Sequence, residues 1–309
     1  MRERELLAAI RAIFDRPMGA DVVVGNGDDG AVIDPQGERV VIASDVAVED
    51  IHFRREWSSP EEIGRKIATA NIADIYAMGG RAKYLLVSAV IPRDYLTEAL
   101  ELAKGIAAEC DRVGASVVGG DLSSGDSLVI SISAVGYCGD PLRRSGARIG
   151  DAIMISHMPG RSAAGLFLLQ QGITRDDEIA NRARAFHKAP RIDFTSMTKV
   201  FPYAHAAIDI SDGLLIDSGH MAEASQVAID LDTSTLHDDE LEILAKSLGV
   251  NPLDWILRSG EEHALLIATD RPELCEGFIQ IGCVSSGNGI RLDGRGIEEE
   301  GFQHSWNEG

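Results

Sequence analysis

The chain has 309 residues, 45% of them hydrophobic, with a mean hydropathy of -0.01 and a formal net charge of -20. That length holds two domains with separate cores, and a sequence pI near 4.7 argues against broad affinity for nucleic acid or anionic membrane. The expected partners are cations, or anions that arrive with cations.

Cys110, Cys138, Cys275 and Cys283 form no C-x-x-C pair, so neither a zinc knuckle nor a disulfide framework is expected, and a reduced cytoplasmic setting is. Residues 3 to 14 mix charges with apolar residues at helical spacing, which predicts an amphipathic helix rather than the unbroken apolar core of a signal peptide. No run approaches the roughly 20 apolar residues of a membrane span.

Next in order, GNGDDGAVID (25 to 34) sets Asp28 and Asp29 side by side between glycines, directly before an apolar run. A solvated hairpin turn and a metal-seeking acidic loop both fit that pattern. VVIASDVAV (40 to 48) reads as a strand. Pro60 to Met78 reads as a helix capped by Ser58 or Ser59, with Pro60 in its first turn. YLLVSAVIP (84 to 92) is a strand, Tyr95 to Val113 a helix, and SVVGGD and SLVISISAVGYC two further strands, closing a first half near Gly139. GDPLRRSGARIGD (139 to 151) interrupts the periodicity, so domains are expected at 1–139 and 140–309. The second half reads as strand DAIMIS, helix Ser162 to Gln171, strand AAIDIS, helix Gly213 to Ala224, strand VAIDLD, helix 238 to 248, strand ALLIAT, and short strands around IQIGCV and IRL. The fold class is α/β, of α+β type, in both halves.

Asp45, Asp121, Asp209 and Asp212 sit at or just past the ends of short β-branched runs, where scaffolds present functional groups. Asp28, Asp29, Asp45, Asp74, Asp121 and Asp212 make a set of oxygen donors without matching histidines or thiolates, which favours Mg²⁺ or Mn²⁺. Mg²⁺ keeps waters and completes its shell with phosphate oxygens, so a polyphosphate is the expected ligand. Neither G-x-x-x-x-G-K-[ST] nor a strand-borne G-x-G-x-x-G is present. A nucleotide would therefore be held through metals and glycine-rich backbone, helped by Arg143, Arg144 and Arg148 unless those are a solvated linker. His52 stands alone and reads as structural or as a supporting residue. Asp212 precedes Gly213 and an apolar helix, so it reads either as an N-cap or as a metal ligand.

The ordered set GDDGAV, SDVAVEDIHF, ANIADIYAMGG, GGD, RSGARIGD, APRIDF, DISDGL and NPLDWILRSGEEHALL resembles the thiamine-monophosphate kinase family, from about residue 21 to the terminal GFQHSW. That family lies in the superfamily of aminoimidazole ribonucleotide synthetase and selenophosphate synthetase. The resemblance implies an aminoimidazole ribonucleotide synthetase-like fold, whose N-terminal α/β domain binds ATP and Mg²⁺ and dimerises through its sheet into a barrel-like interface. A C-terminal α/β domain is expected to cover the site. The implied reaction is in-line transfer of the γ-phosphoryl of ATP to thiamine monophosphate, with several Mg²⁺ and ATP as co-substrate, in a cytoplasmic homodimer. Carried over residue by residue, metal positions fall on Asp28, Asp29, Ser44, Asp45, Asp74, Asp121 and Asp212. Nucleotide positions fall on Gly120, Asp121, Arg144 and Ser211, with Asp212 and Arg144 catalytic, and acceptor positions on His52, Glu261 and Trp306.

Two stretches depart from the family pattern. SGEEHALL stands where G-G-E-D-Y-E-L is usual, giving Glu262, His263 and Ala264, and Asp50-Ile51 replaces Gly-Val before His52 and Phe53. Both lie in the part expected to face the acceptor. Two other functions therefore stay open: a related ATP-dependent synthetase or kinase with another phosphorylated acceptor, and a non-catalytic nucleotide-binding homologue. Within the superfamily, selenophosphate synthetase is disfavoured because no reactive Cys precedes the DDG loop, and the hydrogenase maturation factor because the sequence given ends in HSWNEG.

Overall fold

The computed structural model describes residues 9, 10, 12–14, 21–24, 32–35 and 37–297. Of the helix expected over 3 to 14, residues 9, 10 and 12–14 are described and are helical. The chain divides into two compact units, Met1–Pro141 and Leu142–Gly309.

In the first unit, a short antiparallel pair, β1 (Val22–Val24) and β2 (Val32–Ile33), flanks the stretch that carries Asp28 and Asp29, and those two residues lie outside the described ones. The main sheet has the order β3-β6-β4-β5, built from β3 (Arg39–Val48), β4 (Arg81–Pro92), β5 (Ser116–Gly125) and β6 (Val129–Cys138). β6 runs antiparallel to both β3 and β4, whereas β4 and β5 are parallel. A parallel pair needs a crossover, supplied by helix α2 (Ala99–Val113). Helix α1 (Pro60–Ala77) begins with a capping box: Ser59 accepts from Glu62 N and the Glu62 carboxylate accepts from Ser59 N. α1 and α2 meet backbone to backbone. A Cβ on Gly64 would lie 2.1 Å from Leu102 O, and one on Gly105 2.1 Å from Glu61 O.

The period of two along β6 puts Ile130, Ile132 and Ala134 under the helices, each fully buried. The opposite face is bare except at one end, where Tyr84 and Tyr137 are buried in a cluster with Val22 of β1. Val40, Ile42, Val46 and Leu86 are 46%, 70%, 51% and 39% exposed on it.

The second unit holds a seven-stranded sheet of order β13-β12-β9-β11-β7-β10-β8. Its strands are β7 (Ala152–Ile155), β8 (Ala206–Ile210), β9 (Ala228–Leu231), β10 (Ala264–Thr269), β11 (Ile279–Ser285), β12 (Gly289–Leu292) and β13 (Arg295–Ile297). Around them lie helices α3 (Arg161–Gln170), α4 (Glu178–Lys188), α5 (Phe194–Met197), α6 (Leu214–Ser225), α7 (Asp239–Leu248) and α8 (Pro252–Arg258). β7, β8 and β10 are buried throughout and apolar but for Asp209 and Thr269, and Ile153, Ile155, Leu168, Leu214, Leu215, Leu244 and Leu266 join one core.

The structure departs from the sequence reading in three places. The helix expected from Tyr95 starts at Ala99, after a 3₁₀ turn over Arg93–Tyr95. The sequence reading does not single out α4, which carries few large apolar residues, or α8, which buries Trp255, Ile256 and Leu257 but at seven residues is too short to show a helical period. α4 is nucleated by its Asp177 cap and buries Ala180 and Ala183, and α3 packs against it so closely that a Cβ on Gly165 would lie 2.2 Å from Ala183 O. Finally, Asp45, Asp121 and Asp209 stand inside strands rather than at their ends. β3 and β5 are the two edge strands of their sheet, so their polar residues keep water on one side and the strand runs on through them.

Candidate active site

Asp45 lies on β3 in register with the buried Ile132 of β6, which puts it on the helix-bearing face of the first unit's sheet. Its backbone N–H donates to Asn71 Oδ1 at 3.1 Å, and Asn71, fully buried in α1, donates from Nδ2 to Ile67 O at 3.0 Å. One turn further along α1 is Asp74, so Asn71 ties the strand bearing Asp45 to the helix bearing Asp74. Sequence reading passed over Asn71, although it stands inside the TANIADIYAMGG stretch. A buried amide in an otherwise apolar helix face was the available signal.

Ser44 points the other way. Its Oγ lies 3.0 Å from Ser133 Oγ and donates to Ile132 O at 3.2 Å. Asp121 is in register with Ser88 and hence with Ser131 and Val46, on the same bare face as Ser44. Asp45 and Asp121 therefore occupy opposite faces and opposite edges of the sheet, three strand spacings or roughly 14 Å apart. Next to Asp121, Gly120 permits close strand contact: a Cβ there would lie 1.9 Å from Val87 O.

The segment after β3 explains one departure from the family pattern. Asp50 has φ 66°, a left-handed conformation that glycine adopts freely and aspartate tolerates. Its N–H donates to Phe53 O at 2.8 Å, and His52 Nδ1 accepts from Val48 N at 3.1 Å. The replacement of Gly by Asp50 keeps the turn that orients His52.

In the second unit, β8 ends at Ile210 and the chain turns through Ser211, Asp212 and Gly213 into α6. The N-cap is Gly213, with φ 131° and no side-chain cap bond, so the reading of Asp212 as that helix's cap is not what the structure contains. The cap comes from within the helix instead. Asp217, 2% exposed, accepts on Oδ2 the N–H groups of Ser211, Asp212 and Gly213 at 3.0, 3.0 and 3.1 Å. Across the turn, Glu261 N donates to Ser211 O at 2.7 Å, and Gly260 packs so closely that a Cβ would lie 2.9 Å from the same oxygen.

The SGEEHALL loop that makes this contact carries two non-glycine residues in the left-handed region, Glu261 at φ 58° and His263 at φ 51°. Glu261 is partly exposed, with Oε2 3.7 Å from His187 Nδ1. Glu262 turns inward and is fully buried. Its Oε1 accepts from Gly160 N, Ser162 N and Ser259 Oγ at 2.8, 2.7 and 2.5 Å, closing the N-terminus of α3, while Oε2 has no partner. Burial outweighs those three donors and pushes its pKa up to about 7. Beside it, burial holds His157 down to about 4. His263 is also buried, with Nδ1 3.5 Å from Asp209 Oδ2, and Ala264 opens β10 in the core. Thus Glu262, His263 and Ala264, expected on the acceptor side, lie in the interior, and only Glu261 of this loop faces outward.

Arg144 is exposed, and its carbonyl accepts from Ser225 Oγ at 3.0 Å, at the last residue of α6. Asp212 precedes the other end of that 12-residue helix, about 17 Å away along its axis. Asp28, Asp29 and Trp306 lie outside the described residues. Among the described residues no three His, Cys, Asp or Glu side chains come together as a ready-made metal cage. The available donors are carboxylate oxygens, which suits Mg²⁺, an ion that takes one or two carboxylates and leaves the rest of its shell to water and phosphate.

Residues 27–138 match the N-terminal domain model of AIR synthase related proteins. The thiamine-monophosphate kinase of Mycobacterium tuberculosis (strain H37Rv) is 38% identical over 90% of this chain and 84% of its own length. That of Aquifex aeolicus is 33% identical over 90% and 92%. A solved structure described as "AaThiL complexed with AMPPCP and TMP" superposes with a TM-score of 0.84 over 99% of both chains, at 29% identity. The hydrogenase maturation protein HypE of E. coli, at 18% identity and a TM-score of 0.74, shares the fold. With that extent of identity over nearly the whole length, the chain belongs to the thiamine-monophosphate kinase family.

Proposed function

We propose that this protein is an ATP-dependent kinase that transfers the γ-phosphoryl group of ATP to the phosphate of thiamine monophosphate, giving thiamine diphosphate. The observation that carries this reading is the 38% identity over nine-tenths of the chain with a relative named for that activity. A neighbour of the same fold in complex with AMPPCP and TMP supports it.

The acceptor is a phosphate oxygen, already anionic at neutral pH, so no strong general base is required. The obstacle is repulsion between two phosphate groups and between them and the carboxylates. Bound Mg²⁺ supplies the charge that offsets this repulsion and aligns attacking and leaving oxygens. We assign the protein ligands of several Mg²⁺ ions, one or two carboxylates to each, to Asp28, Asp29, Ser44, Asp45, Asp74, Asp121 and Asp212. Asn71 fixes Asp45 against the helix of Asp74, and the turn at Ser211 fixes Asp212. Gly120, Asp121 and Ser211 hold the nucleotide. Arg144, whose carbonyl is held by Ser225 at the last residue of α6, serves the nucleotide's phosphate oxygens and is catalytic together with Asp212. His52, Glu261 and Trp306 face the acceptor.

The exposed Val40, Ile42, Val46 and Leu86 support a homodimer formed through the bare face of the first unit's sheet, because monomers rarely leave such an apolar patch in water. Asp121, on the same face, would then stand at the protomer boundary. No helix among the described residues is long and apolar enough to cross a membrane, and a cytoplasmic location fits cysteines that form no disulfide among the described residues.

The deciding experiment incubates the protein with ATP, Mg²⁺ and a panel of phosphorylated acceptors. Thiamine monophosphate should be converted to thiamine diphosphate with one ADP formed per product. Absence of that product, or a clear preference for another acceptor, removes the assignment.

A further inference from the structure

Asp217 belongs to none of the ligand sets above, yet it is the residue on which the Asp212 turn is built. Three consecutive backbone N–H groups, those of Ser211, Asp212 and Gly213, converge on a single oxygen, Oδ2, at 3.0 to 3.1 Å. Successive amides aimed at one point form an anion-binding nest, and a helix N-terminus adds its dipole to it. Here the nest of α6 is filled from inside by a carboxylate that is 2% exposed. The N-cap residue itself, Gly213, makes no side-chain cap bond. The far wall of the turn is equally constrained, since Ser211 O accepts from Glu261 N at 2.7 Å and a Cβ on Gly213 would lie 3.2 to 3.3 Å from Arg258 backbone atoms.

We propose that Asp217 is a positioning residue for phosphoryl transfer, fixing the backbone of Ser211–Gly213 so that the Asp212 carboxylate is presented to Mg²⁺ in one orientation. This rests on the reading of Asp212 as a metal ligand. Two consequences follow. First, the amides that would otherwise attract a phosphate are already occupied, so the turn offers negative charge and binds phosphate only together with a cation. Second, Asp217 acts through hydrogen bonds to charged oxygen, which are about twice as strong as neutral ones, so removing its charge loosens the turn without emptying the space.

Asp217→Asn is the test, because asparagine keeps the shape and one acceptor oxygen and loses the charge. Amide hydrogen exchange, measured without ATP or metal, should accelerate about tenfold at Ser211, Asp212 and Gly213 and stay native in β8 and β10. The Mg²⁺ concentration for half-maximal activity should rise about 10- to 100-fold, as for other groups that orient metal ligands, and kcat should recover as Mg²⁺ is raised. A purely structural role would lower thermal stability and leave the Mg²⁺ dependence of the folded enzyme unchanged. Native exchange at the three amides, or faster exchange with native Mg²⁺ dependence, overturns the proposal. Asp212→Asn is run in parallel. If it keeps native Mg²⁺ dependence, the metal reading of Asp212 falls and the role of Asp217 falls with it; if only Asp217→Asn behaves as native, the positioning role alone is refuted. Should Asp217→Asn fail to fold, the unmodified chain decides: amides 211 to 213 must be protected without ligand to the level of β8, and rapid exchange there rejects the idea.

Discussion

Replacing Asp212 by asparagine separates stability from catalysis, and the structure fixes what each measurement should read. If Asp212 were the N-cap of α6, loss of that bond would cost about 1 kcal/mol, although asparagine would restore it. The structure removes that concern, since Gly213 is the N-cap position and the three amides of the turn go to Asp217. Asp212→Asn therefore leaves in place the three amide bonds to Asp217 that hold the start of the helix. Its effect on stability should stay within about 0.5 kcal/mol, the range for substitutions away from core and caps. For a unit spanning Leu142–Gly309, that corresponds to a shift in melting temperature of about 2 °C or less. The catalytic effect should be far larger. A group that stabilises charge developing in the transition state is worth a factor of about 10² or more, or roughly 2.7 kcal/mol of barrier. Calorimetric melting and thiamine diphosphate formation, at saturating ATP and Mg²⁺, give the two numbers. An Asn variant that keeps most of its kcat refutes the assignment of Asp212 to the metal. One that melts several degrees lower refutes the separation itself.

Three other outcomes are expected. ATP should bind tightly with Mg²⁺ and weakly in EDTA, because the carboxylates repel bare triphosphate; equal affinity by titration calorimetry in both conditions contradicts that. Light scattering should give a dimer at micromolar concentration that Ile42→Glu converts to a monomer, since Ile42 is 70% exposed on the bare sheet face; a monomeric wild type, or a dimeric variant, rejects the interface. The last concerns pH. Glu262 is raised from 4.5 to about 7 and His157 is lowered from 6.5 to about 4, so the folded state holds more protons on the first and fewer on the second. Between about pH 4.5 and 7 Glu262 makes stability fall as pH rises, whereas between about pH 4 and 6.5 His157 makes it rise. The two nearly cancel in the native chain. Glu262→Gln should remove the first alone, by about 3 kcal/mol across its window, leaving stability that climbs with pH from 4 to 6.5. A variant with the same pH profile as the wild type in denaturant titrations excludes an elevated Glu262.

Local chemistry was sufficient to read most elements and the acidic motifs. Ser59, Glu62 and Pro60 mark the start of α1 because capping bonds join residues three apart. The alternation in SISAVGYC marks β6 because the pleat has a period of two, and the sequence of spaced aspartates points to Mg²⁺ or Mn²⁺ because an all-oxygen donor set favours hard cations. What it left open depends on partners far away in the chain. Glu62 caps a helix that its own sequence announces, but Glu262 closes α3 from 102 residues away at Gly160, so an acid read as facing the acceptor is an interior anchor. Asn71 and Asp45 meet across 26 residues, and only the packing of α1 on the sheet joins them. Asp45 and Asp121 look alike in sequence, yet sheet order and register send them to opposite edges and faces. Asp212 and Asp217 are five residues apart, close enough to read, but which one caps the helix was decided by the turn, whose three amides can converge only on the carboxylate buried beneath them.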